Sequence, residues 1–553
     1  MVMVMEMEAK KVEELTNAKR GSWAISTVLA AVVMSVLILG GRNVGAPAVW
    51  TAVASLRQGS NELSFLHARS SSAYAGRLYG GLLADGGFDE ESCHSRYQSA
   101  MYRRNPGRRP SPYLTSKLRR HEALQRRCGP GTAAYSNALE QLRSGASAAS
   151  PECKYMVSIS YRGVGNRILA AASAFLYALL TDRVLLIDPS NEMDALFCEP
   201  FPNTTWLLPP GFPVANYTRF RVDAAESYGN MVKNKVIGSG SEAAGVSAAP
   251  LPAFAYVHLN YDATVEDYYF FCDDDQRQLR RIQWLAMRTD SYIVPGLFLV
   301  QAFQGVLDLM FPERDAVFHH LGRYLFHPNN HVWGLVTRYY EAYLAAAKQR
   351  VGIQVRVFGA VPDSPELLEQ IVACTQKHGL LPEVLAEEAE PMALASRARS
   401  KAVLVTSLKS WYYEKLKSMY WERATATGEA VDVHQPSHEE YQRSGARSHD
   451  HKAWAEIFLL SLTDVLVTSG MSTFGYVAQG LGGVRPWVMY KPTNSSAVPD
   501  PPCGRDVSME PCFHKPPSYD CRRRQWADIS EDVPYVQHCD DAIWGLKLVG
   551  RNI

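Results

Sequence analysis

Three stretches of this 553-residue chain combine residue types that hold anions. The first, Gly163-Val164-Gly165-Asn166-Arg167, follows an alternating run at 156–161 and precedes a nearly all-apolar, alanine-rich segment at 168–180. The second, Ser469-Gly470-Met471-Ser472-Thr473-Phe474-Gly475, follows the apolar run 464–468. The third is a single arginine, Arg356, near the end of the buried-type run 351–357. Glycines and small hydroxyl residues where a strand turns into a helix present backbone N–H groups and the positive helix end to an anion. An arginine beside such a turn adds a planar fork suited to bidentate bonding of a phosphate oxygen pair. Each pattern has a structural reading as well: a lone Gly-x-Gly serves close backbone packing as readily as nucleotide binding, and a strand arginine can pair with a carboxylate.

Two further clusters invite metal chemistry. Asp273-Asp274-Asp275 contains the Asp-x-Asp arrangement that can hold a divalent cation, but three carboxylates also suit the start of a helix, here expected before the segment 279–284. His319, His320 and His327 lack the Glu or Cys spacing of a metal site and are expected to pack inside the fold.

The elements needed to position these residues are legible as strand–turn–helix units. Residues 156–161, 168–180 and 184–188 read as strand, helix and strand, which implies a parallel sheet with a ligand at the carboxyl ends of its strands. A second unit runs through a strand at 351–357, a helix at 365–379, a strand at 402–406, helices at 411–424 and 454–462, a strand at 464–468, a helix through Gln479 and a strand at 486–490. The arginine pairs between Arg103 and Arg127 read as the solvated face of a helix over 113–127.

Composition narrows the class. Hydrophobic residues make up 47% and charged residues 20%, enough for large cores and incompatible with global disorder. Lys+Arg number 57 against 56 Asp+Glu, so a formal charge of +1 supplies no basic field for nucleic acid. Residues 23–41 carry no charge and follow Lys10, Lys11, Lys19 and Arg20; they are expected to form a membrane anchor with the bulk of the chain in a lumen, a cleaved signal peptide being the rival. Sequons at Asn203, Asn216 and Asn494 fit that compartment. So do the ten cysteines, of which the four between 503 and 539 are expected to staple the tail locally.

The runs GVGNRILAAASAFLYALLTDRVLLID from Gly163, LFCEPFPNTTWLLP from Leu196, VFHHLGRYLFHPNN from Val317, GIQVRVFG from Gly352, VLVTSLKSWYYEKLK from Val403 and SGMSTFGYVAQGLGG from Ser469 closely resemble the plant xyloglucan fucosyltransferase family. The resemblance extends from about Cys93 to the C-terminus. It implies an α/β chain of GT-B type, two Rossmann-like halves facing across a cleft, behind a transmembrane helix and stem. The corresponding boundaries are a cytosolic tail at 1–22, an anchor at 23–41, a stem at 42–90, an acceptor-side half at 91–345 and a donor-binding half at 346–553.

It further implies a single-pass type II Golgi membrane protein that moves L-fucose from GDP-fucose to the 2-position of galactose on a cell-wall glycan, with inversion, no cofactor and no metal. Carried over residue by residue, Gln354 and Arg356 become donor ligands, Arg356 meeting the pyrophosphate. Ser472, Thr473, Phe474 and Gly475 surround the phosphates and nucleoside. Gly163, Gly165, Asn166 and Arg167 face the donor from the other half, with Asn166 close to the chemistry. Asp290 matches the candidate carboxylate that would take the acceptor proton. The glycine-rich stretch from Gly238 and the segment 387–393 match no run of the family. A glycan-binding relative without turnover, and an inverting glycoside hydrolase needing two carboxyls across a cleft, are the competing readings.

Overall fold

The computed structural model describes residues 78–145, 150–238, 251–357, 361–386, 400–491, 497–521, 525–526 and 533–550. The anchor at 23–41, Asn494, the stretch beyond Gly238 and the segment 387–393 lie outside them.

The first sheet begins at β1 (Tyr155–Ser158), whose four residues are all buried. The alanine-rich segment forms α3 (Val164–Thr181), after α1 (Pro112–Cys128) and α2 (Ala133–Ser144). α3 is long and apolar enough to span a membrane, yet 94% of it is buried inside the fold, so it is a core helix. Its alanines let neighbours approach from every side. β2 (Val184–Ile187), β3 (Phe254–His258), α4 (Asp273–Leu279) and β4 (Trp284–Arg288) complete the unit. The order is β2-β1-β4-β3, all parallel, with Tyr155 beside Val184 and Trp284.

α5 (Val317–Leu325) and α6 (Asn330–Tyr339) lead to a second sheet: β5 (Gln349–Val355), α7 (Pro365–Lys377), β6 (Lys401–Ser407), α8 (Trp411–Glu422), β7 (Val431–His434), α9 (Arg447–Leu460), β8 (Val465–Ser469), α10 (Thr473–Gly482), β9 (Trp487–Met489) and β10 (Cys503–Arg505). Its order is β10-β9-β8-β5-β6-β7, parallel except for β10. In both sheets the first strand of the unit is flanked by its successors on either side, which opens a crevice at its carboxyl end. One apolar cluster joins the sheets, running from Phe175 and Leu176 of α3 through Trp454 and Ile457 of α9 to Tyr476 and Leu481 of α10.

Several expectations change. The helix expected at 279–284 instead ends at Leu279, and Trp284 opens β4. Asp273, Asp274 and Asp275 occupy the first turn of α4 and are used separately. Asp273 accepts from the backbone N–H groups of Gln301 and Ala302, Asp274 pairs with Arg277, and buried Asp275 accepts from the Tyr228 hydroxyl at 2.6 Å. Leu82 and Leu83, near the end of the stretch expected as stem, are buried in the core. The arginine-rich segment is a helix as expected, though Leu114, Leu118 and His121 bury its inner face. His319, His320 and His327 are buried; the Arg108 N–H donates to His319 Nε2, which leaves its Nδ1–H to donate to the Gly480 carbonyl at 2.7 Å.

The tail is not stapled only to itself. Cys512 pairs with Cys539 locally, but Cys503 pairs with Cys374 and Cys521 with Cys272. The reason is topological: β10 adds to the sheet beside β9, which brings Cys503 against α7, and the chain then crosses to the first half. β11 (Tyr519–Asp520) and β12 (Gln525–Trp526) form one small hairpin, and β13 (Val536–Cys539) with β14 (Ala542–Leu548) another. Cys93–Cys198 and Cys128–Cys153 complete five bridges.

Candidate active site

The two turns singled out by their residue types meet. Gly163 and Gly165 lie at the start of α3, and Ser472–Phe474 at the start of α10; together with Gln354 and Arg356 at the end of β5 they line one pocket. A Cβ on Gly165 would stand 2.8 Å from the carbonyl carbon and oxygen of Thr473, so glycine is required by the approach of the opposite backbone. Asn166 fastens this junction: its Oδ1 accepts from the Thr473 hydroxyl at 3.2 Å and its Nδ2 donates to the Asp290 carbonyl at 2.8 Å.

The starts of the two helices are built differently. Gly163 gives α3 no side-chain cap, whereas Ser472 caps α10 by accepting from the Gly475 N–H. Met471, just before that cap, has a left-handed φ of 57°, a conformation uncommon for a side chain of its kind. It is held from both sides: its N–H donates to Asp541 at 2.7 Å and its carbonyl accepts from Arg356. The Arg356 backbone N–H donates to the Ser469 hydroxyl, which fixes where β5 ends relative to β8. Gln354 is buried and accepts from Thr468.

Two predicted donor ligands lie elsewhere. Arg167 does not line the pocket; it is buried, with its guanidinium 2.8 Å from Asp450 of α9 and also bonded to the Asn191 carbonyl. It is a strut between the halves. Burial explains the difference: α3 points Asn166 to the crevice and the next residue into the core. Gly475 is also buried behind the turn, where a Cβ would meet the Thr468 hydroxyl at 2.0 Å, so its glycine serves packing. Asp290 follows β4 and does not itself line the pocket; its carbonyl holds Asn166, and its carboxylate is paired at 2.7 Å with Arg162, itself left-handed at φ 63°. Asn203 and Asn216 are exposed, each at a left-handed turn position.

Sequence reasoning missed the groups behind and beside the pocket. Asp541, at the β13–β14 turn, accepts from the Met471 N–H and from Tyr476, whose hydroxyl is 3.0 Å from His514 Nε2. Since the Tyr476 proton goes to Asp541, His514 is the donor in that bond. Burial lowers the His514 pKa, with Asp541 and Asp290 opposing and Arg356 reinforcing the shift. At the other end of the pocket Glu456 of α9 accepts from Ser437, and burial pushes its carboxyl up to about 8. Glu439 is held ionised by Lys452 and His449. The pocket therefore grades from an arginine and two helix starts, of which that of α3 has no side-chain cap, at one end to carboxyl, hydroxyl and amide groups at the other. That is a layout for an anionic group joined to a polar heterocycle. No local motif marks Asp541 or His514; only the flanking Cys512 and Cys539 hinted that this tail was ordered.

The chain is similar to known proteins in sequence and in fold. A family model described as xyloglucan fucosyltransferase matches residues 52–522. The galactoside 2-alpha-L-fucosyltransferase of Pisum sativum is 51% identical over 475 residues, covering 86% of this chain and 82% of that protein. The protein of the same description from Arabidopsis thaliana is 53% identical over 477 residues, covering 86% and 83%. A solved structure of a mutant Arabidopsis thaliana FUT1 in complex with GDP matches with a TM-score of 0.78 at 52% identity, covering 86% of this chain and all of that one.

Proposed function

The chain belongs to the xyloglucan fucosyltransferase family, and from that premise we propose that it is a galactoside 2-alpha-L-fucosyltransferase of GT-B type. It takes L-fucose from GDP-fucose and joins it, with inversion, to the 2-position of a galactose on a plant cell-wall glycan, xyloglucan or arabinogalactan protein. The observation that carries this reading is the meeting of the two helix-start turns, Gly165 against Thr473, with Arg356 at their shared pocket.

Breaking the fucosyl–phosphate bond leaves a cation-like sugar and places charge on the departing GDP. Groups already aimed at that charge lower the barrier most, because they need no reorganisation as it develops. Arg356 and the N–H groups around Ser472–Phe474 meet the pyrophosphate, and Gln354 steadies the turn through Thr468. These donors supply the charge that a metal would otherwise bring. Glu456, Glu439 and Ser437 face the nucleoside end. Asn166 locks the two turns in register, and Asp290, oriented by Arg162, takes the acceptor hydroxyl proton on the face opposite the leaving group.

An anchor at 23–41 holds the catalytic region in the Golgi lumen, a placement that five disulfides and the exposed sequons Asn203 and Asn216 favour. The test is GDP release by the full-length protein given GDP-fucose with and without a galactose-terminated xyloglucan oligosaccharide, in EDTA and in Mn²⁺. Acceptor-dependent release that survives EDTA is expected. Release on arabinogalactan alone would keep the enzyme and change the acceptor, and silence on every acceptor despite GDP binding would overturn the reading. Asp290→Asn should then lower turnover more than GDP-fucose affinity, and an unchanged rate would remove Asp290 from the chemistry.

A further inference from the structure

Beyond the edge of the second sheet lies a larger groove. It runs along β7, which among the described residues pairs only with β6, and is walled by the end of α6, the residues just after it, and α8. Its volume is about 1240 Å³, against about 160 Å³ for the donor pocket. Five aromatic side chains line it: Tyr339, Tyr343, Tyr413, Tyr420 and Trp421. Trp421 is 85% and Tyr343 50% exposed, although burying either ring would release apolar area from water. Tyr339, Tyr343 and His434 form a short series, Tyr343 standing 4.8 Å from Tyr339 and 4.9 Å from His434 between centroids, each pair tilted.

The chemistry of the rim selects among occupants. Lys417 and Arg423 are balanced by Glu429 and Asp432, and burial lowers the pKa of His434, so the groove has no net charge. That disfavours nucleic acid and acidic polymers. Flat aromatic faces set among hydroxyl, ammonium and carboxylate groups match the alternating C–H faces and equatorial hydroxyls of a neutral polysaccharide. The groove is also continuous with the donor pocket along the chain: Gln435 and Pro436 line the first, Ser437 and Glu439 the second. Burial, and after it the nearby Glu456 in its ionised form, raise the pKa of the Tyr339 phenol.

We propose that this aromatic groove is a secondary binding site for the backbone of a neutral, β-linked polysaccharide acceptor, holding the polymer while its side-chain galactose is presented at the cleft. The proposal rests on the fucosyltransferase reading for its identity as an acceptor site, but its binding step does not require turnover.

The test compares wild type with the double variant Tyr343→Ala/Trp421→Ala, both full-length. Exposure of both rings makes the variant compatible with folding. Mobility in native gels containing xyloglucan polysaccharide reads binding. Transfer kinetics on the polymer and on a short galactose-terminated xyloglucan oligosaccharide read its use. Loss of gel retardation and a roughly ten-fold higher KM for the polymer are expected, with oligosaccharide kcat/KM and GDP affinity unchanged. Equal retardation and equal polymer KM in the two proteins would sink the site. So would an equal fall on both acceptors, which would make the rings structural. A change in oligomeric state on sizing columns without a change in polymer binding would assign the groove to a second copy instead. If no acceptor is fucosylated, the catalytic reading fails while gel retardation still decides the groove.

Discussion

The two arginines that the sequence places beside glycine turns have opposite fates. Arg167, on α3, is buried against Asp450 and bridges the two halves. Arg356, at the end of β5, is exposed at the pocket and donates to the Met471 carbonyl. The same side chain in the same kind of motif is therefore a structural strut on one wall of the crevice and a candidate ligand on the other. What separates them is the element that carries each. A helix of nearly continuous apolar residues turns all but one of its first-turn side chains inward, whereas the residue just past a strand end at a sheet's crevice is released to solvent.

The contrast breaks most sharply on the buried member. Arg167→Ala leaves Asp450 with its charge buried and should cost about 3–5 kcal/mol of stability, read as a lower midpoint in denaturant unfolding. Replacing both partners with apolar residues should restore most of it; failure to do so would show that Arg167 acts on more than Asp450. Arg356→Ala should leave the midpoint in place and remove about 2–5 kcal/mol of transition-state stabilisation, a loss of roughly thirty-fold to several thousand-fold in turnover. Near-normal GDP release by that variant would dissolve the distinction.

The contact between the turns sharpens the comparison at smaller cost. Gly165→Ala forces a methyl group against the Thr473 carbonyl and should cost about 1–3 kcal/mol, with transfer lowered beyond what the unfolding midpoint explains. The last effect, a pH dependence, concerns the far end of the pocket. Buried Glu456 keeps its proton up to about 8, whereas in the unfolded chain it is lost near 4.5. The folded state thus binds more protons between those values, and stability falls as pH rises through that window, by about 1 kcal/mol per pH unit. Glu456→Gln should flatten this slope in unfolding curves at pH 5 and 8. Part of it should remain, because Glu510, bonded to Tyr292 and the Phe318 N–H, is also pushed up to about 8.

Local pattern was enough to read β1, α3, β2, β5, β6 and β8, because each is a buried run bounded by glycine or polar residues. β3, β4, β7 and β10 were missed, being short or, at the sheet edges, held by long-range pairing. The pocket's centre was legible because Gly163, Gly165, Asn166, Arg356 and Ser472–Phe474 sit in strand-to-helix turns. Its surroundings were not. Asp541 and His514 reach the Met471 turn from a tail whose path is set by disulfides to distant partners, and no spacing in the chain encodes that path. Arg167 looked like a ligand because residue type cannot say which neighbour, Asp450 from 283 positions away, neutralises it.

The Cys272–Cys521 bridge spans 249 positions and encloses the whole second sheet in a covalent ring. A protease that cuts once between those cysteines would therefore release nothing. The clipped enzyme would migrate as one species until a reductant opened the ring, and then as two. Surface loops within it can be nicked without the halves drifting apart.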